Sequence, residues 1–446
     1  MPAAQVDVRI QDRLLIRLAD ARAQTDTLFD IVHSDALYDR PIPERHRIVF
    51  YLGHLEAFDW NLLGQRLPGL SSFHRQFDQL FAFGIDPVGG GLPSDRPADW
   101  PSVPEIHRYN SRVRESLDAA LETAGLRDWD LESGGGFSGG VLLNVAIEHR
   151  LMHAETLAYM LHQFPLDRKA RQANAPVANA HPVDFGMVEI PSGSAILGLS
   201  RDDVASFGWD NEYDAYRVTV AAFAIDRYKV TNGQYLEFMN AGGYDDRSLW
   251  PEAGWNWKVE QEIRQPVFWK RRNRRWYYRT MFDELPLPLD WPVYVSHAEA
   301  SAYARWAGKA LPTEAQWHRA AYGTPDGSER SWPWGMEPPG AAHGYLDFRR
   351  WDPVPVNAFP RGRSAFGVGG LIGNGWEWTS SLFEPFDGFQ PFPFYPGYSA
   401  NFFDGKHYVL KGGSTRTGAC LLRRSYRNWF QPHYQYVYAG FRCVSA

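Results

Sequence analysis

The sequence predicts two domains in series: a four-helix bundle over residues 1–165 and a loop-rich α+β domain over 185–446, joined by a linker at 166–184. Three observations carry this. A chain of 446 residues is too long for one ordinary core. Before residue 165 the apolar residues recur at helical spacing over long stretches. After residue 185 the texture changes to short strand-like runs broken by Gly, Pro and Asn, and most of the 18 Trp fall after residue 200.

The first helix is expected over 7–32, where Ile10, Leu14, Leu15, Leu18, Ala21 and Leu28 lie near the 3.6-residue period. The second follows "PIPE", where Pro41 and Pro43 suit a helix start. It runs to about Leu63 with Ile48, Val49, Leu52, Leu55 and Phe58 on its apolar stripe. A long Gly- and Pro-rich connection, 65–103, leads to a third helix near 104–126 and a fourth near 138–164. Four long helices with one long crossover describe a bundle. "LDRKARQANAPVANAHPVD" is polar and without apolar periodicity, hence a linker. Beyond it, "FGMVEIPSG" and "YRVTVAAFAIDRYKVT" read as strands, and "SHAEASAYARWAG" as an amphipathic helix.

Several function classes drop out at once. A net charge of −6 argues against a nucleic-acid or anionic-membrane partner. No run of 18 apolar residues occurs, so no membrane span is expected. The opening "MPAAQVDVRIQDRLLIRLADARA" lacks a signal-peptide h-region, and Cys420 and Cys443 are too few for a disulfide framework. A cytoplasmic protein is expected. Aromatic residues make up 15% of the chain, enough to fill an irregular core and also to line a pocket for a cation.

The stretch "IEHRLMHAETLAYM" places His149 and His153 four positions apart in an apolar run. On a helix such residues lie only about 40° apart, so both can reach one metal ion. Glu155 points elsewhere and is left a supporting role. A third ligand must come from another helix. His54 in "IVFYLGHLEAFDW" sits on the apolar stripe of the second helix, and a shared metal would satisfy all three buried imidazoles. Three histidines suit zinc, copper or non-haem iron alike.

The motifs "IPSGSAILG", "DNEYDAYRVTVAAFAIDRYKVTNGQYLEFM", "ALPTEAQWHRAA", "GNGWEWTSS", "LKGGS" and "AGFRC" resemble the formylglycine-generating-enzyme domain, a modified C-type-lectin fold. The first half resembles a DinB-like metal-binding bundle. Joined in this order, the two resemble the ergothioneine sulfoxide synthase family, which couples hercynine (trimethylhistidine) to sulfur with iron(II) and O2. The resemblance implies iron ligands at His54, His149 and His153. It implies that Asn428 and Trp429 of "SYRNWF" contact the trimethylammonium group of hercynine. It also implies that Tyr395 and Tyr398 of "FYPGYSANFF" are active-site tyrosines, the first delivering a proton or electron. The copper-dithiolate chemistry of formylglycine-generating enzymes is not expected. Cys420 stands where the first of their two cysteines would be, but Ser425 replaces the second, and Cys443 reads as a small buried residue.

The chain departs from the family where the sulfur donor binds. Ergothioneine synthases using γ-glutamylcysteine carry an arginine-rich segment after helix two. Here "FAFGIDPVGGGLPSDRPADWPS" keeps only Arg96, amid Asp86, Asp95 and Asp99. The family's acid after Asn-Trp is Phe430, and its glutamine before the third ligand is Met152. A neutral donor suits such a site, and the segment is similar to that of selenoneine synthases, which join hercynine to a selenosugar. Selenoneine synthesis is therefore the first expectation, and ergothioneine synthesis from γ-glutamylcysteine or another thiol the second. A zinc thiol-transferase or a non-catalytic binding protein are the readings from other classes.

Overall fold

The computed structural model describes residues 3–82, 92–124, 139–173, 183–203 and 205–445. They form two compact units, Met1–Gln172 and Ala173–Ala446.

In the first unit α1 (Ala3–Phe29) packs along α5 (Gly139–Gln163), while α2 (Ile48–Asp59) packs against α4 (Val103–Thr123) and α5. These are the four expected helices, with ends within a few residues of the expected ones at most termini. The start of α2 is the exception. It begins at Ile48 rather than directly after Pro43, because Asp39 and Leu37 carbonyls accept its first amides, from Ile48 and Val49. That start is set by tertiary contact instead of by a side-chain cap. At its other end α2 runs into a π-helical turn, Trp60–Gly64. The connection 65–103 is not all loop: it contains a short helix, α3 (Arg75–Leu80). Glu105 caps the start of α4 by accepting from the Ser102 amide at 3.0 Å, a sequence-readable signal. Residues 166–172 lie in this unit, where Lys169 donates to the Leu161 carbonyl and Ala170 to that of Ile31.

Gly53 has a spatial reason. A Cβ there would come within 2.5 Å of the Phe81 ring, so only glycine lets the end of α3 close onto α2.

The second unit alternates short strands and helices. β1 (Met187–Ile190) pairs with β4 (Phe223–Asp226) and β4 with β12 (Val444–Ser445), while β2 (Gly193–Leu197) pairs with β3 (Tyr216–Val220). Helices α6 (Asn232–Asn240) and α7 (Glu252–Glu260) precede a meander of β5 (Trp269–Arg272), β6 (Arg275–Arg279) and β7 (Glu284–Pro286). Then come α8 (His297–Trp306), with the Ser296/Glu299 capping box, and α9 (Glu314–Tyr322). The last sheet has the order β10-β9-β8-β11, from β8 (Trp376–Leu382), β9 (Tyr408–Lys411), β10 (Asn428–Phe430) and β11 (Ala439–Gly440). A core of Ile190, Leu197, Ile225, Trp317 and Leu371 ties sheets to α9. Among the described residues no helix is long and apolar enough to cross a membrane.

Candidate metal centre and aromatic site

His54 on α2 and His149 and His153 on α5 are all buried and bring one ring nitrogen each to within 4.8 Å of one another. The Nε2 atoms of His54 and His153, and those of His153 and His149, are 3.1 Å apart. Nitrogens about 2.1 Å from a shared ion, at right angles, stand about 3.0 Å apart, so both spacings fit a common metal. Donor protonation fits too. Burial pushes His54 down to about 4 and, reinforced by the neighbouring imidazoles, holds His149 and His153 well below their ordinary value. All three are neutral at pH 7, as ligands must be. The Phe81 carbonyl accepts from His54 Nδ1 at 2.7 Å, which places the proton on Nδ1 and turns the Nε2 lone pair inward. Phe50 stacks on His54 with centroids 4.8 Å apart, and Phe58 stacks on His149 at 3.4 Å, fixing both rings. Glu155 is buried two residues beyond His153, and Met152 is half-buried on the same helix.

A buried charge cluster behind the ligands was not anticipated. Arg150, next to His149, grips both carboxylate oxygens of Glu56 at 3.0 and 2.9 Å and Asp59 at 2.6 Å. The signal was present in the sequence: α2 carries Glu56 and Asp59 with no Lys or Arg, and α5 places Arg150 inside an apolar run.

The acids of the connecting segment are not open negative charge. Arg40 and Arg47 both pair with Asp95, which also accepts from Trp100 Nε1 at 2.8 Å, and Arg96 pairs with Asp99 at 3.2 Å. Burial raises the Asp95 carboxyl, but the Trp100 hydrogen bond and the two guanidiniums outweigh it and hold it below the usual range. Asp86 lies outside the described residues.

In the second unit Trp429, half-buried on β10, stacks on Phe383 with centroids 4.2 Å apart and planes 6° from parallel. Tyr398 approaches it edge-on at 5.4 Å and Phe402 at 5.5 Å, making a four-ring cluster. The Asn428 side-chain oxygen accepts from the Trp429 amide at 2.9 Å, and Phe430 stacks on Tyr434 at 5.2 Å, 4° from parallel. Tyr395 and Tyr398 lie 5.6 Å apart by centroid. Ser425, at the position of the absent second cysteine, donates to Glu212 Oε2 at 2.7 Å, and Arg423 pairs with the same carboxylate. Cys420 is half-buried; Cys443 is buried, and burial pushes its thiol well up, as a small inert core residue.

The sulfatase-modifying factor enzyme 1-like domain family matches residues 172–446, and the DinB superfamily matches 17–157. The chain is 37% identical to the hercynine oxygenase of Mycobacterium tuberculosis, over 97% of this chain and 98% of that one. It is 34% identical to the hercynine oxygenase of Mycolicibacterium thermoresistibile, over 96% and 93% of the two chains. Ergothioneine biosynthesis protein 1 of Neurospora crassa is 29% identical over 92% of this chain, which spans 55% of that longer protein. With both domains matched in order and the likeness running nearly end to end, the chain belongs to the hercynine oxygenase family of enzymes.

Proposed function

We propose that this cytoplasmic enzyme forms a C–Se bond, or its C–S counterpart, at the imidazole C2 of hercynine, with iron(II) as cofactor, O2 as co-substrate and a selenosugar as donor. The observation that carries the reading is the buried triad of neutral imidazoles, His54, His149 and His153, in a chain of this family. Iron held there would supply O2 activation and a binding point for the donor's selenium or sulfur.

The protein's own task is to bind, orient and deliver a proton. A quaternary ammonium accepts no hydrogen bond, so ring faces and dipoles must hold it. Trp429 and Asn428 are assigned to that group. Tyr395 is assigned the proton or electron delivery, and Met152 and Phe430 the lining towards the substrates.

Donor choice follows from charge. γ-Glutamylcysteine brings two carboxylates and an ammonium, and each ion left unpaired in a partly buried site costs several kcal/mol. Arg40, Arg47 and Arg96 already pair with Asp95 and Asp99, and Phe430 stands stacked on Tyr434. A sugar needs only neutral hydrogen bonds and a ring to lie on. The second reading, ergothioneine sulfoxide synthesis from γ-glutamylcysteine or another thiol, is favoured by the near end-to-end likeness to hercynine oxygenases. One experiment separates them: iron-loaded protein, hercynine and O2 with each donor in turn, products identified by mass spectrometry. Preference for γ-glutamylcysteine would overturn the selenosugar assignment.

A further inference from the structure

Among the described residues of the first unit, buried charges of opposite sign converge directly behind the metal ligands. Arg150 is 1% exposed, Glu56 1% and Asp59 0%. The Arg150 fork spends both terminal nitrogens on α2: Nη1 and Nη2 on the two oxygens of Glu56, and Nη2 also on Asp59 and on the Leu55 carbonyl at 3.1 Å. Nη1 further approaches Thr25 Oγ1 of α1 at 3.4 Å. Glu56 is gripped a second time by Arg114 of α4, at 2.6 and 2.9 Å, and Arg114 pairs in turn with Asp26 of α1 through two bonds of 2.8 Å. One polar network thus joins all four long helices.

Its location matters more than its extent. Leu55 and Glu56 directly follow His54 on α2, and Arg150 directly follows His149 on α5. Apolar packing alone lets two helices slide by fractions of an ångström at little cost. A bidentate guanidinium bound at the same time to two carboxylates and a backbone carbonyl does not, because its donors have fixed directions. We infer that Arg150 is a positioning residue, which locks the register of α2 against α5 so that the His54 Nε2 meets those of His149 and His153. This rests on the reading above that the triad holds the metal.

The test uses the full-length chain stripped of metal, with Co(II) as the probe ion. Co(II) affinity, its visible absorption spectrum and the melting temperature of the apoprotein are measured for wild type, Arg150→Lys, Arg150→Met and Asp59→Asn. Lysine keeps the charge but is a point donor, unable to span Glu56, Asp59 and Leu55 together. Arg150→Lys is expected to melt near wild type yet to bind Co(II) at least about tenfold more weakly, with an altered spectrum, in the range found when groups supporting metal ligands are removed. Asp59→Asn, which keeps shape and loses one charge, should move affinity and spectrum in the same direction and serves if Arg150→Met does not fold. Wild-type affinity and spectrum in Arg150→Lys and Asp59→Asn, whatever their melting temperatures, would overturn the inference. If the wild type itself takes up no Co(II), the metal reading fails first and the inference falls with it.

Discussion

Tyr395 and Tyr398 sit with ring centroids 5.6 Å apart but in different surroundings. Tyr398 is buried, stacked on Trp209 at 3.9 Å. Burial, then the charges near it and its hydrogen bond with Tyr426, push its hydroxyl well above the ordinary value. Tyr395 is half-exposed. A group that delivers a proton must reach substrate, so Tyr395 is the better placed. Tyr395→Phe should lower coupled C–Se or C–S product by on the order of a hundredfold while O2 consumption continues as donor oxidation. Tyr398→Phe should cost about 1 kcal/mol of stability and leave product partitioning alone. Product and oxygen measured together decide it, and unchanged partitioning in Tyr395→Phe would remove the role.

Replacing His54, His149 or His153 by Ala should abolish turnover, and each variant should lose the stabilisation that metal gives wild type. At metal concentrations about a hundredfold above Kd that stabilisation is roughly 2.7 kcal/mol, read as a melting shift on adding iron(II). Glu155→Ala should keep its metal. Full activity in His54→Ala would end the assignment of that ligand.

Hercynine should bind more tightly than histidine by about 1–2 kcal/mol, the worth of a cation on an aromatic face. Trp429→Ala should erase most of that difference. Calorimetry that finds equal affinity for the two amino acids in wild type would contradict the aromatic reading.

Asp95 engages Arg40 and Arg47 together. Asp95→Asn should release them for a carboxylate-bearing donor. A charge-assisted hydrogen bond contributes roughly 1.5–3 kcal/mol, so KM for γ-glutamylcysteine should fall about tenfold while KM for a selenosugar stays put. Steady-state kinetics with both donors check this, and equal changes for both would refute it.

The acid limb of stability should carry a mark of His297. This imidazole stacks on Tyr408, with Nε2 3.1 Å from the Thr379 carbonyl, and burial pushes it down to about 3. Below pH 6.5 the unfolded chain takes up the proton and the folded chain does not, so stability is full above 6.5 and falls as pH drops towards 3. The slope approaches about 1.4 kcal/mol per pH unit. In His297→Gln the decline between pH 6 and 4 should be shallower by about 1 kcal/mol per unit, measured by urea unfolding at fixed pH. Parallel curves would show that His297 is not the titrating group.

By itself the sequence determined what local periodicity and residue chemistry encode. The four long helices follow from 3.6-residue spacing, the two-unit division from the change of texture beyond the polar linker, and α8 from the amphipathic pattern of "SHAEASAYARWAG". The pairing of His149 with His153 followed from a four-residue interval, which helix geometry converts directly into proximity. Tertiary structure decided the rest. The start of α2 depends on carbonyls of residues 37 and 39, and the short α3 closes onto Gly53 through Phe81. Asp95, an apparent obstacle to anions when read along the chain, proves to be neutralised by Arg40 and Arg47, which lie 55 and 48 positions away. Arg150 and Glu56 are 94 positions apart and meet at 2.9 Å. Such partners are fixed by how helices pack, a long-range choice that no local pattern records, because the low dielectric of the core makes any buried charge find its counter-charge wherever the fold brings one.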